Sequence, residues 1–129
     1  RLAAVLLDEV RAAPRESLHL PMPADRRVLR IADAVLQAPA SEETFQVLAQ
    51  RAGISERSAR RLFNAETGMS FANWRQQARL LLALEYLSAG NPIAEVADSL
   101  GYASASSFIA MFRKAFGLSP RRYLSVRKA

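Results

Sequence analysis

Residues 53–70 read GISERSARRLFNAETGMS, and residues 101–119 read GYASASSFIAMFRKAFGLS. The two stretches share a leading glycine, a phenylalanine and a closing Gly–x–Ser, and an alanine upstream of each glycine also matches. The matched pairs are Ala49 with Ala97, Gly53 with Gly101, Phe63 with Phe112, Gly68 with Gly117, and Ser70 with Ser119. The offset is 48 residues at the leading glycine and 49 from the phenylalanine onward. This repeat of a short helix, a glycine turn and a second helix predicts a duplicated helix-turn-helix.

The rest of the chain also has helical apolar spacing, and no stretch alternates at period two. Serine, glycine and proline divide it into segments, and we predict helices at about 25–37, 41–51, 55–66, 71–89, 92–100, 104–115 and from Pro120 onward. An earlier helix ends at Pro14 and carries an apolar stripe of Leu2, Val5, Leu6 and Val10. The predicted fold is therefore all-α, with a helical connector at 1–40 and, at 41–129, two helix-turn-helix subdomains joined by a long linker helix.

Local signals predict where these helices begin. We expect serine caps at Ser55, Ser70 and Ser119, and a helix start at Ala103 or Ser104. Ser41 can cap the helix that follows it, which would place Glu42 and Glu43 in a first turn where the helix dipole favours acids. Asn91 followed by Pro92 is typical of a cap and a first helical position.

Composition excludes several classes of function. The chain has 129 residues and no cysteine, so disulfides, thiolate zinc sites and cysteine nucleophiles are excluded. His19 is the single histidine and cannot form a multi-histidine metal site, and we expect no metal, no cofactor and no catalytic residue. No apolar run approaches the ~20 residues that span a bilayer. Because the chain begins at Arg1 without a methionine, we expect it to be a piece of a longer protein.

Charge points to a polyanionic partner. The net charge is +6, and residues 41–129 supply most of it, with twelve basic and seven acidic side chains. Such a balance suits nucleic acid or an anionic membrane surface. The membrane is disfavoured, because no exposed apolar face is expected beside the basic one.

One face of the helix that begins at Ser55 is nearly all arginine. At 100° per residue, its polar side chains fall within about 100° of arc; they are Arg57, Arg60, Arg61 and Asn64. The opposite face carries Ala59, Leu62 and Phe63. In a helix-turn-helix this second helix enters the major groove, and arginine can bond two acceptors of a guanine edge. The alternative is a solvated face with salt bridges to Glu56 or Glu66.

The helix at 104–115 has a different outer face. We expect its inward stripe to be Phe108, Met111, Phe112 and Ala115, and its outer face to be Ser106, Ala110 and Arg113, flanked by Ser107, Ile109 and Lys114. Small side chains can approach bases closely but read few hydrogen-bonding groups. Arg113 and Lys114 are expected on phosphates. The first motif should therefore discriminate sequence, and the second should mostly position the protein.

The linker helix has the length to connect two grooves. At ~1.5 Å per residue it spans roughly 28 Å, against about 34 Å between successive major grooves on one side of a duplex. Its core-like residues are Trp74, Leu80, Leu81, Leu84 and Leu87. For Arg75 and Arg79 the sequence allows two interpretations: each is either solvated or in contact with the nucleic-acid backbone.

Residues 41–127 resemble the DNA-binding domain of the AraC/XylS family of bacterial transcription regulators. The resemblance lies in LFNAETGMSFANW, in IAEVADSLGYASASSFIAMFRKAFGLSPRRYL, and in the spacing between them. By position it implies base contacts from Arg57, Arg60, Arg61, Ala105, Ser106 and Ala110. We expect phosphate contacts from Ser55, Asn64, Ser104, Ser107, Arg113 and Lys114. Ala110 departs from the polar or basic residue that many members have there.

The resemblance also implies partners. Residues 1–40 look like the connector in members with an N-terminal cupin-type sensor, which would bind a small-molecule effector. The expected partner is a double-stranded DNA operator, with RNA polymerase as a further partner, and the chain is expected to act as a monomer in the cytoplasm, on the nucleoid. The alternative function is a helical protein–protein interaction module without DNA binding. An enzyme is disfavoured, since the alkyl-repair chemistry of some relatives needs a cysteine.

Overall fold

The computed structural model describes residues 19–128, and this part of the chain contains seven helices and no strand. The helices are α1 (Arg26–Gln37), α2 (Phe45–Ala52), α3 (Glu56–Thr67), α4 (Phe71–Ser88), α5 (Ile93–Ser99), α6 (Ala105–Phe116) and α7 (Pro120–Lys128). The all-α prediction is confirmed. The predicted helix with the stripe of Leu2, Val5, Leu6 and Val10 lies outside the described residues.

Two compact units divide the chain, one formed by Leu20–Arg79 and the other containing residues 80–128. Each unit has its own hydrophobic core and holds one of the two helix-turn-helix motifs. The long helix α4 begins in the first unit and ends in the second. The division of the chain at residue 40 remains a prediction.

The first unit packs α1, α2, α3 and the first half of α4 around one core. Phe63 of α3 is fully buried, with its ring centroid 5.5 Å from that of Phe71 and 5.4 Å from that of Trp74. The other buried residues of this core are Val28, Ile31, Ala32, Val35, Phe45, Leu48, Ala49, Ala52, Ile54, Ala59 and Ala78. Burial of Ala59 and Phe63 turns the opposite face of α3 outward.

Helix α1 is joined to this core by polar contacts as well as by packing. The indole Nε1 of Trp74 donates to the carbonyl of Pro21 at 2.7 Å. Glu66 Oε1 accepts from the backbone N–H groups of Ala24 at 2.8 Å and Asp25 at 3.0 Å. The carboxylate at the end of α3 therefore satisfies donors that precede α1, where unpaired N–H groups are costly.

In the second unit, three phenylalanines of α6 are spaced four residues apart. Phe108, Phe112 and Phe116 are all buried, and Phe112 lies 4.5 Å from Phe116 and 5.8 Å from Tyr123 between ring centroids. The other buried residues of this core are Ala83, Leu84, Leu87, Val96, Ala97 and Leu100. Ala115, which we predicted to point inward, is exposed. The four-residue spacing carries the stripe from Phe112 to Phe116, so Ala115 falls outside it.

Helix α2 begins later than the sequence predicted. Its cap is Thr44, whose hydroxyl accepts from the N–H of Val47 at 3.2 Å. Ser41 is not the cap, because its hydroxyl accepts from the N–H of Glu43, two residues on, in a turn that precedes the helix. Glu43 therefore lies outside the first helical turn, and it pairs instead with Arg51.

Helix α5 also begins differently. Pro92 is its cap and makes no side-chain capping bond, so it is not the first helical residue. Asn91 does not cap the helix, since its Nδ2 donates to the carbonyl of Tyr86 at 3.1 Å. The predicted turn at Gly101 is confirmed, with φ at 89°, a left-handed value that glycine adopts without a Cβ clash.

The linker helix α4 is only partly as expected. Trp74, Leu84 and Leu87 are buried, whereas Leu80 and Leu81 are half-buried. The two arginines of α4 bind the protein's own main chain. Arg75 donates to the carbonyls of Ser41 and Glu43, and Arg79 Nε lies 3.5 Å from the carbonyl of Pro39.

Candidate nucleic-acid interface

Helix α3 presents three arginines to solvent. Arg57, Arg60 and Arg61 are all exposed, as the sequence predicted. The helix starts at a serine cap, because the hydroxyl of Ser55 accepts from the N–H of Ser58 at 3.2 Å. It ends at Gly68, which has φ of 75°. The cap and the glycine set the ends of α3, and burial of Ala59 and Phe63 on one face leaves the three arginines exposed on the other.

Arg60 is held differently from the other two arginines. Its Nε and Nη2 donate to Glu56 Oε2 at 3.1 and 2.8 Å, and its guanidinium carbon lies 4.8 Å from the centroid of the Phe45 ring. In residues 19–128, Arg57 and Arg61 form no ion pair. Of the two predicted salt-bridge partners, only Glu56 is used, since Glu66 binds the backbone ahead of α1.

Asn64 completes the outer face of α3. Its side chain is exposed, and its Nδ2 donates to the carbonyl of Arg60 at 2.9 Å. One of the two amide hydrogens is thus used within the helix, and the second is still available as a donor to a phosphate. Asn64 therefore remains a predicted phosphate contact.

Helix α6 begins with a reciprocal cap. Ser104 Oγ accepts from the N–H of Ser107 at 3.1 Å, and Ser107 Oγ lies 3.3 Å from the N–H of Ser104 and donates to its carbonyl at 2.9 Å. Both hydroxyls, which we predicted on phosphates, take part in the cap, where Ser104 Oγ accepts a bond and Ser107 Oγ donates one. Ser106 and Ala110 are exposed, and Ala105 is half-buried.

The far end of α6 is basic. Arg113 and Lys114 are exposed in its last turn, where positive charge is favourable beside the helix C-terminus. Arg121 and Arg122, which were not among the predicted site residues, are exposed in the first turn of α7. The hydroxyl of Ser119 caps this helix by accepting from the N–H of Arg122 at 3.1 Å. These two arginines could have been found in the sequence, because they directly follow Ser119 and Pro120, a pair typical of a helix start.

Each unit therefore gathers its own set of predicted residues. The first unit holds Ser55, Arg57, Arg60, Arg61 and Asn64 on α3 and its cap, and the second holds Ala105, Ser106, Ser107, Ala110, Arg113 and Lys114 on α6, with Ser104 at its cap. Phe45 and Glu56, which hold Arg60, were not among the predicted site residues. In the described part of the chain, no helix is long and apolar enough to cross a bilayer, and no three His, Asp or Glu side chains cluster as a metal site would require.

Comparison with known proteins gives a consistent result. Residues 48–125 match a family model described as a helix-turn-helix domain. The chain is 39% identical over 128 residues to the HTH-type transcriptional regulator NimR of Escherichia coli K12, covering 97% of this chain and 46% of that protein. It is 32% identical over 103 residues to the regulator RipA of Corynebacterium glutamicum, covering 80% of this chain and 31% of that protein. The chain thus spans about half or less of the length of these relatives.

Solved structures agree with this fold. The DNA-binding domain of the global transcriptional factor AdpA, in complex with a target DNA, superposes with a TM-score of 0.67 at 26% identity, covering 81% of this chain and 95% of that one. A DNA-binding transcriptional dual regulator from Escherichia coli K-12 superposes with a TM-score of 0.68 at 25% identity, covering 81% and 95%. An AraC-type regulator from Chromobacterium violaceum has the same fold, with a TM-score of 0.67 at 20% identity, covering 78% and 91%. The chain belongs to the AraC/XylS family of helix-turn-helix transcriptional regulators.

Proposed function

We propose that this chain binds a duplex DNA operator sequence-specifically and places α3 and α6 in two successive major grooves. The observation that carries the proposal is the exposed arginine face of α3, opposite the buried Ala59 and Phe63. Like charges at this spacing repel one another in an isolated helix, and a groove lined with phosphates removes that cost. The complex of AdpA with a target DNA supports DNA as the partner.

The two helices have different roles in this proposal. The base contacts come from Arg57, Arg60, Arg61, Ala105, Ser106 and Ala110. The phosphate contacts come from Ser55, Asn64, Ser104, Ser107, Arg113 and Lys114. Arginine reads guanine through two parallel hydrogen bonds, whereas the small residues of α6 offer at most close approach to a thymine methyl. The first motif therefore sets most of the preference, and the second mainly fixes position.

The length of α4 supports the two-groove arrangement. Its 18 residues span about 27 Å at ~1.5 Å per residue, close to the ~34 Å between successive major grooves. One chain then supplies both recognition helices, so a monomer is sufficient for one site. Dimers of single helix-turn-helix proteins reach the same spacing with two chains.

The remaining partners belong to the whole protein. We place residues 1–40 as a connector to an N-terminal cupin-type sensor that binds a small-molecule effector, and 41–129 as the double helix-turn-helix domain. NimR, of which this chain spans 46%, has room for such a sensor. We further propose that the protein acts in the bacterial cytoplasm, on the nucleoid, that it contacts RNA polymerase as an activator or repressor, and that it is not an enzyme.

A salt titration of DNA binding tests the proposal. If about six to eight phosphates are neutralised, log K against log[salt] should have a slope of about −5 to −7 in fluorescence anisotropy. Saturation should occur at one chain per duplex carrying the preferred site, found by selection from a randomised pool. A slope near zero would contradict DNA binding and favour a protein-interaction module instead, and a requirement for two chains would contradict the two-groove arrangement.

A further inference from the structure

Glu56 occupies the first turn of α3, the end that the proposed function places nearest the bases. Its Oε2 accepts two hydrogen bonds from Arg60, from Nε at 3.1 Å and from Nη2 at 2.8 Å. Both side chains remain partly exposed, at 54% for Arg60 and 38% for Glu56. Glu56 is half-buried, beside the exposed arginine face. An acid in the first turn is stabilised by the helix dipole, but it is also repelled by the phosphates of a bound duplex.

The guanidinium of Arg60 has a second contact. Its central carbon lies 4.8 Å from the centroid of the Phe45 ring, which is almost fully buried in the core of the first unit. A cation over an aromatic face is attracted by the ring quadrupole. Arg60 is thus restrained by Glu56 and Phe45 together, whereas Arg57 and Arg61 form no ion pair in the part of the chain that the structure describes.

The geometry determines which edge of Arg60 can read DNA. A guanidinium has two edges with parallel N–H donors, one formed by Nε with Nη2 and one formed by Nη1 with Nη2. Glu56 takes the first edge. The second still has two donors, which is the pattern that guanine O6 and N7 accept. Arg60 can contact guanine through this edge and keep its bonds to Glu56. A phosphate could use the same two donors, but its negative charge is repelled by the Glu56 carboxylate, whereas the guanine edge is neutral.

We propose, on the basis of the proposed function, that Glu56 is a specificity-determining residue that acts through Arg60. It fixes the guanidinium for bidentate contact with a guanine and disfavours the use of Arg60 on phosphates. Ordering a long side chain before binding reduces the entropy lost on binding. Repulsion between Glu56 and the phosphates acts on every sequence. The guanine contact offsets it, so binding is weakened where that guanine is absent. Glu56 is a positioning residue, so its removal should alter preference more than affinity for the preferred site.

The test compares the wild-type chain with Glu56→Gln on the selected site and on an unrelated duplex, each over a range of salt. We expect Glu56→Gln to tighten binding to the unrelated duplex by about two- to fivefold, the size of one exposed charge pair. The selected site should gain less affinity than the unrelated duplex, and preference at one base pair should flatten. The salt slope on unrelated DNA should steepen by about 1, because Arg60 now neutralises a phosphate. The control is Glu42→Gln, which removes the same charge from an exposed position outside α3.

A double-mutant cycle separates positioning from direct contact. In an Arg60→Ala background, Glu56→Gln should change neither the base preference nor the salt slope. If it still changes base preference there, Glu56 contacts DNA by itself and the proposal is wrong. The proposal also fails if Glu56→Gln in the intact chain matches the wild type in both preference and salt slope. Failure of the proposed function is a separate outcome, because the wild-type chain would then show no salt dependence and select no site.

Discussion

At the scale of single residues, the three arginines of α3 are not equivalent. Arg57 lies in the middle of the exposed arc and forms no ion pair within residues 19–128, whereas Arg60 lies at the margin, against Phe45 and Glu56. Arg113 lies in the last turn of α6, away from the N-terminal residues that a helix-turn-helix directs at the bases. These positions predict that removal of each side chain affects DNA binding differently.

We expect Arg57→Ala to cost about 1–3 kcal/mol on the preferred site and to flatten preference at one or two base pairs, because it removes a two-donor contact with a base edge. Arg113→Ala should instead weaken all sequences about equally and reduce the salt slope by ~1, because it removes a phosphate contact. Selection from a randomised site, with anisotropy titrations, measures both effects. Full wild-type preference in Arg57→Ala, with lost preference in Arg113→Ala, would reverse the assigned roles.

At the scale of elements, the connection between α1 and α2 is held by α4. Arg75 donates to the carbonyls of Ser41 at 2.7 Å and of Glu43 at 2.9 Å, and its guanidinium carbon lies 5.4 Å from the centroid of the Phe71 ring. Burial lowers the pKa of Arg75, and the nearby charge of Arg79 adds to this effect. Its Nε is buried without a hydrogen-bond partner among the described residues. The two carbonyl bonds therefore stabilise the connection against a desolvation cost.

Replacement of Arg75 by methionine keeps the apolar stem and removes both bonds. We expect Arg75→Met to lower the free energy of unfolding by about 1.5–3 kcal/mol, the range for hydrogen bonds to a charged group. Urea unfolding of the DNA-free chain measures this change. The control is Arg61→Met, an exposed position on α3 where a change within about ±0.5 kcal/mol is expected. Equal stability of the two variants would show that the bonds of Arg75 only offset its burial.

At the scale of the whole molecule, the excess of positive charge makes stability sensitive to acid. The net charge is +6 at pH 7, and it rises as carboxylates become protonated, which increases repulsion in the folded state. Hydrogen bonds from Arg27 lower the pKa of Asp25, and hydrogen bonds from Arg51 lower the pKa of Glu43. A carboxyl group with a lowered pKa in the folded state stabilises the fold above its unfolded pKa and loses that contribution as pH falls through the folded value.

We therefore expect stability to change little between about pH 7 and 5 and to fall below about pH 4, the ordinary range of these carboxyl groups. Thermal melts across this range measure it. Glu43→Gln should have a shallower acid dependence than the wild type, because its pair with Arg51 is already lost. Glu42→Gln makes the same charge change and keeps that pair, so it should retain the wild-type dependence. A rise in melting temperature on acidification would contradict the predicted loss of stability.

The order of the helices, the glycine turns and the arginine face of α3 were all predictable from the sequence, whereas the starts of α2 and α5 were not. The glycine turns and the serine caps act through neighbours within a few residues. The turns are at Gly53, Gly68 and Gly117, with φ of 80°, 75° and 81°, and the caps are at Ser55 and Ser104. The apolar stripes follow from the helical period. Such signals depend only on nearby residues, so the duplicated motif and the arginine face could be predicted from the sequence.

The use of each arginine became visible in the folded structure. The sequence left Glu56 and Glu66 open as salt-bridge partners on α3. Glu56 pairs with Arg60, four residues on, whereas Glu66 binds donors 41 and 42 residues away, ahead of α1. The contact of Arg60 with Phe45, and those of Arg75 with main-chain carbonyls, likewise join segments that are distant in sequence. These contacts form only after the core brings the helices together, and no local periodicity or cap records which side chains will then be neighbours.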